Sequence, residues 1–259
     1  MNKFIFSTLL TFSLLNPCLA DAPSGETIEG APTDKQVQNS KSLSPYSAKY
    51  EATWKAGWFP ITVQATRTLQ QAEDKLWQLS FEAYSSVADL SEITKFTVTD
   101  ATIKPHSYRY KTTGFLSKSK RSQEFHWDEN KLWLPNKDMW AEYELPENLQ
   151  DNLSYQEQIR LDLMSGLTEF HYPIAYKNRL KHYYFEVVGE TQLKSKQGSI
   201  TAIQVKQTKL KNKKESTLLW YAKDFEYVLL KLKKVKSNGN KSVILLKEAQ
   251  LKNEILKGF

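Results

Sequence analysis

The residues able to move protons, hold metals or attack carbonyls are few in this chain and widely spaced. His106, His126, His171 and His182 show no metal-ligand spacing, and there is no Gly-x-Ser-x-Gly elbow, no His-Glu-x-x-His pair and no glycine-rich phosphate loop. His126 with Asp128 and Glu129 comes nearest to an acid–base cluster. Strand alternation sets His126 opposite Phe125 and Trp127, which sends it towards solvent. Asp151 and Asp162 flank or sit on the one helical stretch, where capping or a solvated face is the first explanation. No catalytic residue, metal site or cofactor is therefore expected, and an enzyme is the least favoured class. Active sites assembled from residues far apart in sequence leave no motif, so that class is kept open.

The single cysteine, Cys18, belongs to a segment expected to be removed. In "MNKFIFSTLLTFSLLNPCLA", Lys3 precedes an apolar run from Phe4 to Leu15, followed by Pro17 and the small-x-small ending Cys18-Leu19-Ala20. This is the pattern of a secretory signal peptide over residues 1–20, with cleavage before Asp21. The apolar run falls well short of the roughly 20 residues that span a bilayer. Asn16 and Pro17 before the cysteine argue against lipid attachment. The expected location is the periplasm, reached across an inner membrane, with no transmembrane span and no thiol or disulfide in the mature chain.

Charge is divided unevenly. From Asp21 to Tyr176 there are 16 Lys and Arg against 22 Asp and Glu, and from Lys177 to Phe259 there are 19 against 7. Such a basic region points to nucleic acid in a cytosolic protein, but an exported one meets lipid headgroups and acidic glycans instead. No nucleic-acid partner is expected. The plainest reading of these lysines is the solvated face of strands.

The elements follow from composition and period. Residues 21–44 are rich in Ser, Pro, Gly, Thr and Gln, lack aromatics, and read as a flexible linker. Residues 45–259 read as one β-rich domain, since the 239 residues that follow the expected signal peptide suffice for a substantial core. Tyr46, Ala48, Tyr50, Ala52, Trp54 and Ala56 alternate with polar residues. After a Gly57-Trp58 turn the alternation resumes through Phe59, Ile61, Val63 and Ala65. Period two means strand, and the pair means an antiparallel hairpin. Trp77, Leu79, Phe81 and Ala83 share the face of another strand, and a meander runs from Tyr183 to Leu251. Asn238-Gly239 predicts a type I′ turn in its last hairpin. One helix interrupts the strands: "SYQEQIRLDLMSG" sets Ser154 as N-cap with Glu157 at capping-box spacing, an apolar stripe of Tyr155, Ile159 and Leu163, and a stop at Gly166. The expected fold is mainly β: a single curved antiparallel sheet of roughly nine to eleven strands, a half-barrel or open barrel, with one packed α-helix.

Four stretches, "YSAKYEATWKAGW", "ITKFTVTDATIKPHSYRY", "LPENLQDNLSYQEQIRLDLMSG" and "TLLWYAKDFEYVLLKLKKVKSNGN", make the region from Tyr46 to Leu251 resemble a bacterial envelope family known only as domain of unknown function number 3108. Val228-Leu229-Leu230 departs from the resemblance where a Pro-Val pair is expected after the aromatic, and the tail is unusually rich in lysine. The resemblance implies a periplasmic antiparallel β protein similar to the half-barrel carriers that shuttle lipoproteins. It implies no established reaction.

Both faces of the terminal hairpin begin apolar: Val228, Leu230 and Leu232 alternate with Tyr227, Leu229, Lys231 and Lys233. Such a sheet packs on both sides or lines a cavity with a basic mouth. The expected function is noncovalent binding of an amphipathic envelope ligand, a lipid or acylated molecule. Trp54, Trp77, Phe81, Val228 and Leu230 would hold its apolar part, and Lys231, Lys233, Lys234 and Lys236 would select an anionic headgroup. The rival readings are an envelope glycan stacked on Trp58, Trp133 and Trp140, and a scaffold for another envelope protein with no cavity.

Overall fold

A computed structural model describes residues 42–56, 59–72, 75–86, 88–114, 118–210 and 212–259, and the backbone alone over 53–56 and 59–61. The signal-peptide reading, the Gly57-Trp58 turn and nearly all of the linker lie outside the described residues. Leu43 and Ser44, in the stretch read as linker, are buried, and the Ser44 hydroxyl donates to Glu226 at 2.9 Å.

The described strands form one antiparallel sheet that does not close. Its first half is a meander of β1 (Tyr46–Ala56), β2 (Phe59–Gln71), β3 (Trp77–Tyr84), β4 (Ala88–Thr99), β5 (Thr102–Gly114), β6 (Ser119–His126), β7 (Lys131–Leu134) and β8 (Met139–Trp140). Helix α1 (Tyr155–Met164) follows. The second half comprises β9 (Glu169–Ala175), β10 (Leu180–Ser195), β11 (Gly198–Thr208), β12 (Ser216–Ala222), β13 (Val228–Val235) and β14 (Lys241–Leu251). β14 pairs with β1, joining the halves, and β15 (Glu254–Lys257) pairs with the end of β14. Among the described residues the sheet has fifteen strands where nine to eleven are expected, and three of the additional ones, β8, β9 and β15, are too short or too irregular to read. Pro173 breaks the strand signal of β9. Proline is tolerated there because β9 is the last strand of the sheet.

Bulges set the curvature. The register slips between Lys49 and Tyr50, Lys95 and Phe96, Val187 and Gly189, and Trp220 and Tyr221. Each extra residue bends its strand and tightens the twist, so the sheet curls around α1. The Asn238-Gly239 turn also differs from expectation. Gly239 has φ 81° while Asn238 stays out of the left-handed region, and Gly239 N–H donates to Lys236 O. This is the longer hairpin loop with glycine at its left-handed position, and not a type I′ turn.

The helix is buried on all sides. Tyr155, Ile159 and Leu163 pack as predicted on Phe170, Tyr172, Tyr183, Phe185 and Tyr221, but Gln156, Glu157, Gln158 and Arg160 are buried as well. Ser154 is not the cap: its backbone is helical and its hydroxyl makes no capping bond. Asp151 does that work, its Oδ1 accepting from the N–H groups of Leu153 at 2.7 Å and Ser154 at 2.8 Å. At the other end Gly166, φ 76°, donates to Leu163 O while Leu167 donates to Asp162 O, a Schellman stop.

The approach to α1 also ties β9, at one edge of the sheet, to β4 and β5. Gln150 N–H donates to Pro173 O and Ala175 N–H to Gln150 O, a short parallel bridge onto β9. The Gln150 amide donates to Ile103 O on β5, and the Thr94 hydroxyl of β4 donates to Asp151. Because neighbouring strands alternate in direction, the turns at 135–138, 176–179 and 236–240 share one end of the half-barrel, here called the upper end. Among the described residues, no helix is long and apolar enough to cross a membrane.

Candidate functional site

Glu157 lies at the centre of the half-barrel between two arginines. Its Oε1 accepts from Tyr46 Oη and Arg67 Nη2, each at 2.8 Å, and its Oε2 accepts from Arg160 Nη1 at 2.5 Å. Arg67 also donates to Gln156, and Arg160 donates to Glu226 O and lies over the Tyr46 ring. Burial works to raise the Glu157 carboxyl, yet the adjacent Arg160 and Arg67 hold it below the usual carboxylate range. Both its oxygens are occupied and it is fully buried, so this cluster fixes the helix within the sheet and leaves no carboxylate for chemistry.

Above the cluster, the start of α1 and the sheet enclose a cleft at the upper end. Phe81, Leu153, Leu229, Leu232 and Ile244 supply its apolar wall, and Tyr50, Tyr155 and Tyr183 add aromatic surface. Arg67, Gln156, Gln207, Thr217 and Lys234 supply the polar groups. The enclosed void is about 70 Å³. Burial, then the nearby Lys236, lowers Lys234 to about 8.

Of the residues expected to bind, Phe81 and Lys234 line this cleft. Trp77 is buried in the same core without lining it. The side chain of Trp54 lies outside the described residues. Val228 and Leu230 are fully buried in the same core as Trp77 without lining the cleft, and Leu229 and Leu232 take the places in it. The cause is the bulge opposite Trp220 and Tyr221: Leu230 is the extra residue, and beyond it the inward set shifts by one. Lys231 accordingly lies over Trp220, 4.8 Å from its ring centre, on the other face. Lys233, two residues on, shares that face, and Lys236 follows the end of β13. The terminal hairpin thus packs on both of its faces and contributes one lysine to the cleft.

A further buried cation lies close enough to Lys234 to feel its charge without lining the cleft. Lys181 on β10 is buried against the Tyr176 ring at 3.2 Å, and its Nζ has no hydrogen-bond acceptor among the described residues. Burial, together with Arg179, Arg121, Lys177 and Lys234, lowers it to about 6. Alternation in "KHYYF" places Lys181, Tyr183 and Phe185 on one face, so this signal was present in the sequence. Nothing local, by contrast, could assign Tyr50 or Arg67 to a site assembled with β13.

The histidines form no metal cluster; among the described residues no group of three possible ligands comes together. His171 and His182 meet across β9 and β10 at 3.0 Å, a pairing that their spacing concealed. His126 lies 3.8 Å from Glu129 and edge-on to Trp140. Trp133 and Trp140 do come together at the sheet edge, ring centres 5.0 Å apart, with Trp140 40% exposed; Trp58 lies outside the described residues.

Among solved structures, a β-barrel-like protein of domain of unknown function DUF1849 from Brucella abortus matches with a TM-score of 0.55 and 9% identity, over 82% of this chain and 99% of that one. This likeness shows the fold alone. The MucA/MucB complex of Pseudomonas aeruginosa (TM-score 0.38, 9% identity) matches over 82% of this chain and 53% of that one. A DUF1329 family protein from Desulfovibrio piger (TM-score 0.25, 10% identity) matches over 82% and 88%. Both superpose too loosely to add to the argument. No curated protein sequence matches the chain. The model of the family described as "Protein of unknown function (DUF3108)" matches residues 49–246, most of the chain, and the protein belongs to that family.

Proposed function

We propose that this is an exported protein of the cell envelope, resident in the periplasm, that binds an amphipathic ligand noncovalently in the upper cleft. The carrying observation is the mixed lining: Arg67 and Lys234 share one enclosed site with Phe81, Leu229, Leu232 and Ile244. Pockets of this kind take an apolar group against their walls and orient it by a few convergent polar groups. An anionic headgroup suits Lys234 and the positive charge left over where Arg67 and Arg160 share the one Glu157 carboxylate, and the export reading supplies the setting in which such molecules occur. At about 30 Å³ per water, a void of about 70 Å³ has room for two waters. That is the end of a chain and not a whole acyl group.

Calorimetric titration with alkyl carboxylates and alkylphosphocholines of equal length tests this. The carboxylates should bind more tightly. Affinity should rise by about 0.8 kcal/mol per buried methylene over the first few carbons and then level off. The headgroup preference should shrink as salt rises while the length dependence persists. Lys234→Gln should remove the preference, and Leu229→Glu should abolish binding of both. Equal affinity for both headgroups, or no binding of either, overturns the proposal.

A further inference from the structure

A second cavity at the upper end, of about 300 Å³, lies between the first half of the sheet and the β9–β10 turn. Lys120, Arg121, Lys137 and Lys177 line it, and none of its described lining residues is acidic. Glu92, whose carboxyl feels the charge of Arg121, is buried and accepts from the hydroxyl of the lining residue Tyr108. Arg121 is held in place by two aromatic rings, Tyr110 at 4.0 Å and Tyr176 at 5.6 Å.

The cavity also exposes polar groups that the fold leaves unused. Gln123 is 3% exposed, and neither its Nε2 nor its Oε1 has a hydrogen-bond partner among the described residues. Asn152, 2% exposed, has an unpartnered Oδ1. Buried amides are nearly always paired, because an unpaired one has lost its bonds to water with nothing in return. Cations answer only an anion; the two amide oxygens need a donor. Bare phosphate at neutral pH satisfies the first requirement and largely fails the second.

We infer that this cavity binds a hydroxylated anion, a phosphate or carboxylate carried on a sugar or polyol, with Arg121 and the neighbouring lysines on the charge and Gln123 and Asn152 on the hydroxyls. It is separate from the apolar cleft, shares no lining residue with it, and stands or falls independently of it.

The test is titration of the purified protein, followed by calorimetry, with glucose 1-phosphate, glucuronate, glucose and inorganic phosphate, and with vesicles of phosphatidylglycerol or phosphatidylcholine. The proposal expects glucose 1-phosphate or glucuronate to bind at least tenfold more tightly than glucose or inorganic phosphate. Binding of phosphatidylglycerol vesicles without the soluble sugars also supports it and identifies a lipid headgroup as the source. Arg121→Gln should weaken binding at least tenfold. Gln123→Leu, similar in volume, should abolish binding while raising the Tm of the unliganded protein, which a merely structural glutamine would not do. Binding unchanged in Gln123→Leu, equal affinity for inorganic phosphate, or no binding of any probe overturns the proposal.

Discussion

The carboxylate of Glu157 accepts from Tyr46, Arg67 and Arg160, whereas the amide of Gln123, also buried, touches no donor or acceptor among the described residues. Both groups face the interior of the same half-barrel. The first has been surrounded by partners from β1, β2 and α1; the second points into a cavity with a cationic rim. Burial alone therefore does not tell a structural polar group from a binding one. Satisfaction separates these two: Glu157, fully partnered, is part of the scaffold, and under the inference above Gln123, unpartnered beside a cationic cavity, is left for a ligand.

Three changes would break or sharpen this contrast. The largest effect is expected at the satisfied centre. Glu157→Ala leaves the buried Arg67 without its counter-charge and Arg160 with only Glu226 at 4.0 Å, and the folded state should lose about 3–5 kcal/mol. Urea unfolding would measure it, and a loss below about 1 kcal/mol would mean that water reaches the cluster.

Glu92, half satisfied, should behave in the opposite sense. Its Oε1 has no partner, and burial raises the carboxyl from 4.5 to about 7 against the pull of Arg121. Below pH 4.5 it is protonated in both folded and unfolded chains. Between pH 4.5 and 7 the folded chain holds the proton more tightly, so stability falls as pH rises, and the full penalty applies above 7. At about 1.4 kcal/mol per unit this amounts to about 3 kcal/mol. Glu92→Gln should thus stabilise the protein at pH 8 and flatten the decline. Part of the slope will persist from Asp151, raised by burial to about 6. Identical pH profiles for variant and wild type would refute the assignment.

The smallest effect belongs to the cap. Asp151→Ala should cost about 0.5–2 kcal/mol, and Asp151→Asn, which keeps the acceptor for the Leu153 and Ser154 amides, appreciably less. Equal losses for the two would show that the charge matters and the hydrogen bonds do not.

How much of this was legible beforehand depends on distance along the chain. Period-two alternation in Tyr46–Ala56 and Trp77–Tyr84 disclosed the strands because it is a local signal, and Gly166 disclosed the end of the helix for the same reason. The faces of β13 were misread because a bulge is a matter of pairing with β12 and leaves no mark in "YVLLKLKKV". The burial of the helix's polar side left no mark in the sequence for a related reason. Gln156, Glu157 and Arg160 look solvated until Arg67 and Tyr46, about ninety or more residues away, are brought beside them. The candidate sites combine both kinds of residue, which is why Phe81 and Lys234 were found while Tyr50, Arg67 and Gln123 were not.

The parallel bridge between Gln150 and Ile174 bears on how the cleft can admit anything larger than its void. Along the strands, opening means unzipping a ladder of many hydrogen bonds at once. At the seam, the bridge adds two backbone bonds, with net stabilisation of about 1 kcal/mol each. The half-barrel therefore has a built-in direction of yielding, like a split ring that spreads at its slit before it bends elsewhere. The amides of Gln150 and Ala175 are accordingly the first that should exchange with solvent when the ring breathes, ahead of those in β4 and β5.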